Sequence, residues 1–107
     1  MFDSYSLHES ADAAFKYYFP PMLLLTRSAA IEAIKMLSSR GYQLYGIDGG
    51  IFHSGDNFEG FLDAAWSSYK TAKTTDDAET INMIGVRKIS GDPQEYNAYR
   101  LLVHSFR

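Results

Sequence analysis

The run from Tyr96 to Phe106 is apolar on both sides when read with a period of two. Tyr99, Leu101 and Val103 fall on one face, and Leu102, His104 and Phe106 on the other. A strand with two apolar faces belongs inside a sheet, not at its rim. The rest of the chain must therefore supply strands to flank it and helices to cover it. Tyr42–His53 supplies one partner. Leu44, Ile47, Ile51 and Phe52, flanked by tyrosines, favour β structure, whereas Gly46, Gly49 and Gly50 disfavour helix. The Asp48-Gly49-Gly50 step predicts either one long bent strand or two short ones. Ser54-Gly55-Asp56-Asn57 reads as a turn.

The helical signals lie elsewhere. Ser10 precedes an alanine-rich stretch to Phe19 and predicts a short capped helix closed by Pro20-Pro21, with Met22–Leu25 as a linker or short buried strand. The clearest helix is capped by Thr26 or Ser28 and runs to about Arg40. Ala30, Ile31, Ala33, Ile34 and Leu37 form its apolar stripe, Lys35 and Arg40 suit its C-terminal end, and Gly41 suits a left-handed cap. A further helix is expected from Asp76, with Glu79 completing a capping box, to about Ile89, stopped by Ser90-Gly91-Asp92-Pro93. Phe58–Tyr69 is two-sided. Phe58, Phe61, Leu62, Ala65 and Tyr69 match a helix stripe, while Gly60, Ser67 and Ser68 weaken it and leave a strand through Trp66 as competitor. These elements predict one α/β (α+β) domain over residues 1–107, a mixed or antiparallel sheet with two to three helices packed on it.

With no cysteine, disulfides and zinc–thiolate sites are excluded. No basic leader followed by an apolar run is visible, and Phe19–Leu25 is too short to span a bilayer, so a cytoplasmic protein without membrane contact is expected. A sequence pI near 5.5 argues against nucleic acid as partner.

The charge is unevenly spread. Between Asp48 and Glu79 stand Asp48, Asp56, Glu59, Asp63, Asp76, Asp77 and Glu79 against only Lys70 and Lys73, seven acids and two bases, hence −5. The remaining residues hold six acids and eight bases, hence +2. Trp66 and Tyr69 lie in the same window. Acidic focus beside aromatic anchors suits a basic protein partner. These nine residues are the expected contact surface.

Chemistry finds no footing. Gly46–Gly55 fits neither the phosphate-loop nor the dinucleotide spacing. Asp48, His53, Asp56 and Glu59 could be gathered into an oxygen-rich metal site, yet their register is not that of a calcium loop. No Gly-x-Ser-x-Gly elbow accompanies His8, His53 or His104. The expectation is no catalytic residue, no metal and no cofactor.

The stretch Ala30-Ile31-Glu32-Ala33-Ile34-Lys35-Met36-Leu37, then Arg40-Gly41-Tyr42-Gln43-Leu44-Tyr45-Gly46-Ile47-Asp48, resembles the immunity proteins of bacterial polymorphic toxins and contact-dependent inhibition, nearest the immunity protein 40 family. Trp66, the helix from Asp76 and the apolar C-terminal strand follow in the family's order, so the resemblance spans about two-thirds of the chain. It leaves the first 25 residues and Gly49-Gly50 unexplained. It implies a non-enzymatic antidote that binds a cognate toxin, and it favours a strand around Trp66. The alternatives are a small-ligand or metal-binding module built on Gly46–Glu59, or an enzyme. Oligomeric state is left open.

Overall fold

The structure, a computed structural model, describes residues 5–53 and 57–106. Its elements run β1 (Ser6–His8), α1 (Ala11–Lys16), β2 (Leu23–Leu25), α2 (Arg27–Leu37), β3 (Tyr42–His53), β4 (Asn57–Ser67), α3 (Thr75–Ser90) and β5 (Ala98–Ser105). The strands form one mixed sheet in the order β1-β2-β5-β3-β4. Only β1 and β2 are parallel, and the short helix α1 lies in the connection between them. The α+β fold expected from the sequence is therefore present. β5 lies between β2 and β3, as its two apolar faces require.

α2 begins where its chemistry says it should. Thr26 accepts a hydrogen bond from the Ala29 N–H at 3.3 Å, and a turn of 3-10 helix, Ser38–Arg40, leads into Gly41 at φ 85°. That left-handed conformation is open to glycine at no steric cost. The stripe Ala30, Ala33, Ile34 and Leu37 is fully buried against Leu44, Ile47, Tyr99 and Leu101 of the sheet. α3 packs beside α2 on the same layer and adds Val86 and Ile89. Its cap differs from expectation. Thr74, not Asp76, accepts from the Asp77 N–H at 3.1 Å, which places Asp76 and Asp77 inside the first turn, where negative charge favours the helix dipole.

β3 is one long strand with irregular pairing. Against β5 the register shifts between Leu44 and Gly46, and against β4 it shifts between Asp48 and Gly50. The first shift frees the Leu44 N–H from the ladder, and the buried Asn82 of α3 accepts it at 2.7 Å. Beyond the end of β4, Gln43 takes a strand's place. Its amide donates to the Lys70 carbonyl at 2.6 Å and accepts from the Ala72 N–H at 2.7 Å. Both are answers to one rule: a buried backbone group needs a partner.

The Asn57–Ser67 segment is a strand, so the helical stripe read through Phe58, Phe61 and Ala65 is overturned. Between the pairs Gly50–Gly60 and Asp48–Ala65, four residues of β4, 61–64, stand against Gly49 alone. A bulge of that size resets the strand's phase and imitates a helical spacing in the sequence. Gly49 makes room for it, since a β-carbon there would lie 2.8 Å from that of Ala64 and 2.7 Å from the Tyr99 ring. β1 had no signal in the sequence. It is three residues long and exposes Ser6.

Candidate functional site

Leu44, Ile47, Tyr99 and Leu101 point into the helices. Their neighbours Tyr45, Asp48, Arg100 and Leu102 point the other way, onto a face without a helix. There Arg100 reaches Asp48 through both Nε, at 3.0 Å, and Nη2. The pair divides the face into two shallow depressions, each lined in part by Arg100. One, of about 320 Å³, is walled by Tyr18, Phe19, Pro21, Tyr45 and Leu102. The other, of about 400 Å³, is walled by Tyr5, Asp48, Phe58, Leu62 and Ala65. Tyr5 meets the Phe58 ring at 5.4 Å between centroids, so the segment before β1 contributes to this face. Tyr45 is 52% exposed and Leu102 39%, large apolar area for a surface position. Behind Tyr45 lies the His104 ring, 5.1 Å away, whose Nε2 is buried without a hydrogen bond.

The turn after α1 rims the first depression. Tyr18 and Phe19 both take positive φ, 59° and 53°. Side chains rarely adopt that conformation, and Phe19 precedes Pro20, where extended backbone is ordinary. Two such residues cost about 1–3 kcal/mol each and persist only because their surroundings hold them. Here the Phe19 N–H donates to the Ala14 carbonyl at 2.8 Å and the Phe19 ring meets Phe15 edge-on. The outcome is Tyr18 turned outward, 83% exposed.

The residues chosen from the sequence do not assemble on one surface. Asp48 is on the helix-free face but is neutralised by Arg100. Glu59 pairs with His53 at 3.0 Å, exposed at the far end of the β3–β4 hairpin. Asp56 lies outside the described residues. Asp63 accepts from the Tyr96 hydroxyl at 2.7 Å, while its carbonyl accepts from the Lys88 ammonium. It therefore joins β4 to α3 and to the connection between α3 and β5. Trp66 is half-buried, wedged between the main core and a satellite cluster of Ala72, Ala78 and Ile81, where it packs as a core residue. Tyr69 is 98% exposed beyond the end of β4. Asp76, Asp77 and Glu79 stand together in and just after the first turn of α3, where negative charge favours the helix dipole. Asp77 also accepts from the Lys73 N–H at 3.2 Å. Gly46–Glu59, read as a possible ligand loop, is mostly paired β3 and β4, with Ser54–Asp56 outside the described residues. Among the described residues no three His, Asp or Glu side chains come together as a metal site. No described helix is long and apolar enough to cross a membrane.

Sequence reasoning missed Tyr18, Tyr45 and the Asp48–Arg100 pair. The usable signal was the run Tyr17-Tyr18-Phe19-Pro20-Pro21, aromatics without a buried period ahead of a double proline. No family model matches this chain, and no curated protein matches it.

Proposed function

We propose that the chain is an immunity protein, a stoichiometric binder that neutralises a cognate bacterial toxin in the cytoplasm through the helix-free face of its sheet. The observation that carries the reading is that face itself: Tyr45, Leu102 and the outward Tyr18 around a shallow depression, with Arg100 and Asp48 at its centre. Tyrosine and arginine are enriched where protein partners gain most of their binding energy. The resemblance of Ala30–Asp48 to toxin immunity proteins supports the same reading. A formal net charge of −3 favours a basic partner, with Glu59 and the acids of α3 acting at long range on its approach and not in the contact.

The test uses the toxin domain encoded beside this chain. Tyr45→Ala with Leu102→Ala removes exposed apolar area without opening the core. Dissociation from the toxin should accelerate at least about tenfold, as for truncation of central anchors, with the melting temperature little changed. Unaltered dissociation would move the contact off this face. A neighbouring gene that encodes no toxin, together with toxicity that this chain does not relieve, would remove the reading altogether.

A further inference from the structure

A cavity of about 410 Å³, sharing Tyr18, Phe19 and Val103 with the first depression, opens between the end of α2 and the turn after α1. Phe15, Tyr18, Phe19, Arg40, Tyr42 and Val103 line it. Four of the six are aromatic, a wall composition typical of small-molecule sites, and the volume lies in their range. The polar element is Arg40. Its guanidinium lies over the Phe15 ring, 4.2 Å from the centroid. Among the described residues it forms no hydrogen bond and no ion pair, so its planar fork of donors is left to be filled. Two neighbours hold this arrangement. Gly41 ends the preceding turn and fixes where Arg40 leaves the helix, and the positive-φ pair Tyr18-Phe19 folds the aromatic turn over the mouth. Phe19 packs against the main core, whereas Tyr18 is turned out to the cavity mouth, and strain of this kind gathers at ligand sites.

We propose that this cavity binds a small carboxylate with an aromatic body, the ring between Phe15, Phe19 and Tyr42 and the carboxylate on the Arg40 guanidinium. A flat apolar ring suits edge and face contacts with the walls. A carboxylate matches the guanidinium fork in two parallel hydrogen bonds. Tyr18 and Phe19 also rim the depression read as the toxin contact, so the ligand is examined on the free chain, where toxin binding plays no part.

Phenylacetate is titrated into the isotope-labelled protein and followed by amide chemical shifts, with phenylacetamide as the uncharged counterpart of equal shape. Saturable shifts are expected at Phe15–Phe19, Arg40–Tyr42 and Val103, with phenylacetamide at least about tenfold weaker for want of the charge-assisted pair. Arg40→Gln should erase the preference for the acid. Arg40 is exposed, so the variant should fold, and unchanged shifts elsewhere in its spectrum check that. Arg40→Lys should keep part of the preference, since it keeps the charge and loses the fork. No saturation up to the solubility of phenylacetate, equal binding of acid and amide, or shifts centred on other residues would each overturn the site.

Discussion

Gly50 shows how a single hydrogen atom can be required. A β-carbon there would run into the Glu59 carbonyl oxygen, a backbone atom that cannot turn aside. Gly50→Ala should therefore break pairing at the start of the hairpin and cost more than about 3 kcal/mol, beyond the range of an ordinary point mutation. Denaturant unfolding measures it; a loss under about 1 kcal/mol would mean the two strands stand further apart. The sequence announced a bend at Asp48-Gly49-Gly50, but glycine reports equally on bends, turns and close approach, so the reason lay in the partner strand. The tyrosines make a second prediction at this scale. Tyr96 is pushed up to about 12, first by its hydrogen bond to the Asp63 carboxylate and then by burial. Tyr99 is raised as well, by burial foremost and by the charge of Asp92, to which its hydroxyl donates at 3.1 Å. Both groups hold their protons longer folded than unfolded. Their contribution is complete below pH 10, the value for a free tyrosine, and is lost as pH rises through the folded values. Stability should stay level from neutrality to about pH 10 and then fall. Tyr96→Phe should soften that fall; an identical alkaline transition in the variant would detach Tyr96 from it.

Among elements, α2 was readable and β4 was not, for opposite physical reasons. The stripe of α2 repeats every turn, because one uninterrupted helix buries one uninterrupted face. Ile34 is 1% exposed at its centre, and Ile34→Ala should cost about 2–5 kcal/mol in thermal or denaturant unfolding. A cost near zero would place the helix on another face. β4 hides its period, since the residues opposite Gly49 are surplus to the ladder and shift the apolar positions out of alternation. The resemblance to immunity proteins had favoured the strand where periodicity favoured the helix. The acids suffered the same loss of legibility. Charge counted along the chain cannot tell that Asp63 accepts from the Tyr96 hydroxyl and that Asp48 is neutralised by Arg100. Asp63→Asn would therefore weaken a strong acceptor that ties β4 to the connection before β5. The connection from α3 to β5 is held in a comparable way. Arg27 donates to the carbonyls of Asp92, Pro93 and Tyr96, at 3.0, 2.6 and 3.1 Å, and spans 65 or more residues of sequence in doing so.

Over the whole molecule, the sheet comes from three separate stretches of chain. β1 and β2 belong to the first third, β3 and β4 form a hairpin in the middle, and within the sheet only β5 touches both. A chain stopped after Asn97 should lose cooperative unfolding altogether, with a flat thermal scan and collapsed amide dispersion. A truncated chain that still melts in one sharp step would mean that the α2–α3 contact suffices without the sheet. The arrangement also has a temporal side. A ribosome makes this domain at about 5–20 residues per second, from the N-terminus. Until β5 emerges, the β2 edge and the β3 edge each wait with open backbone groups and an apolar flank. The nascent domain thus gains its complete sheet in one late step, and a message cut short before that step yields material for proteases and chaperones, not a partly working domain.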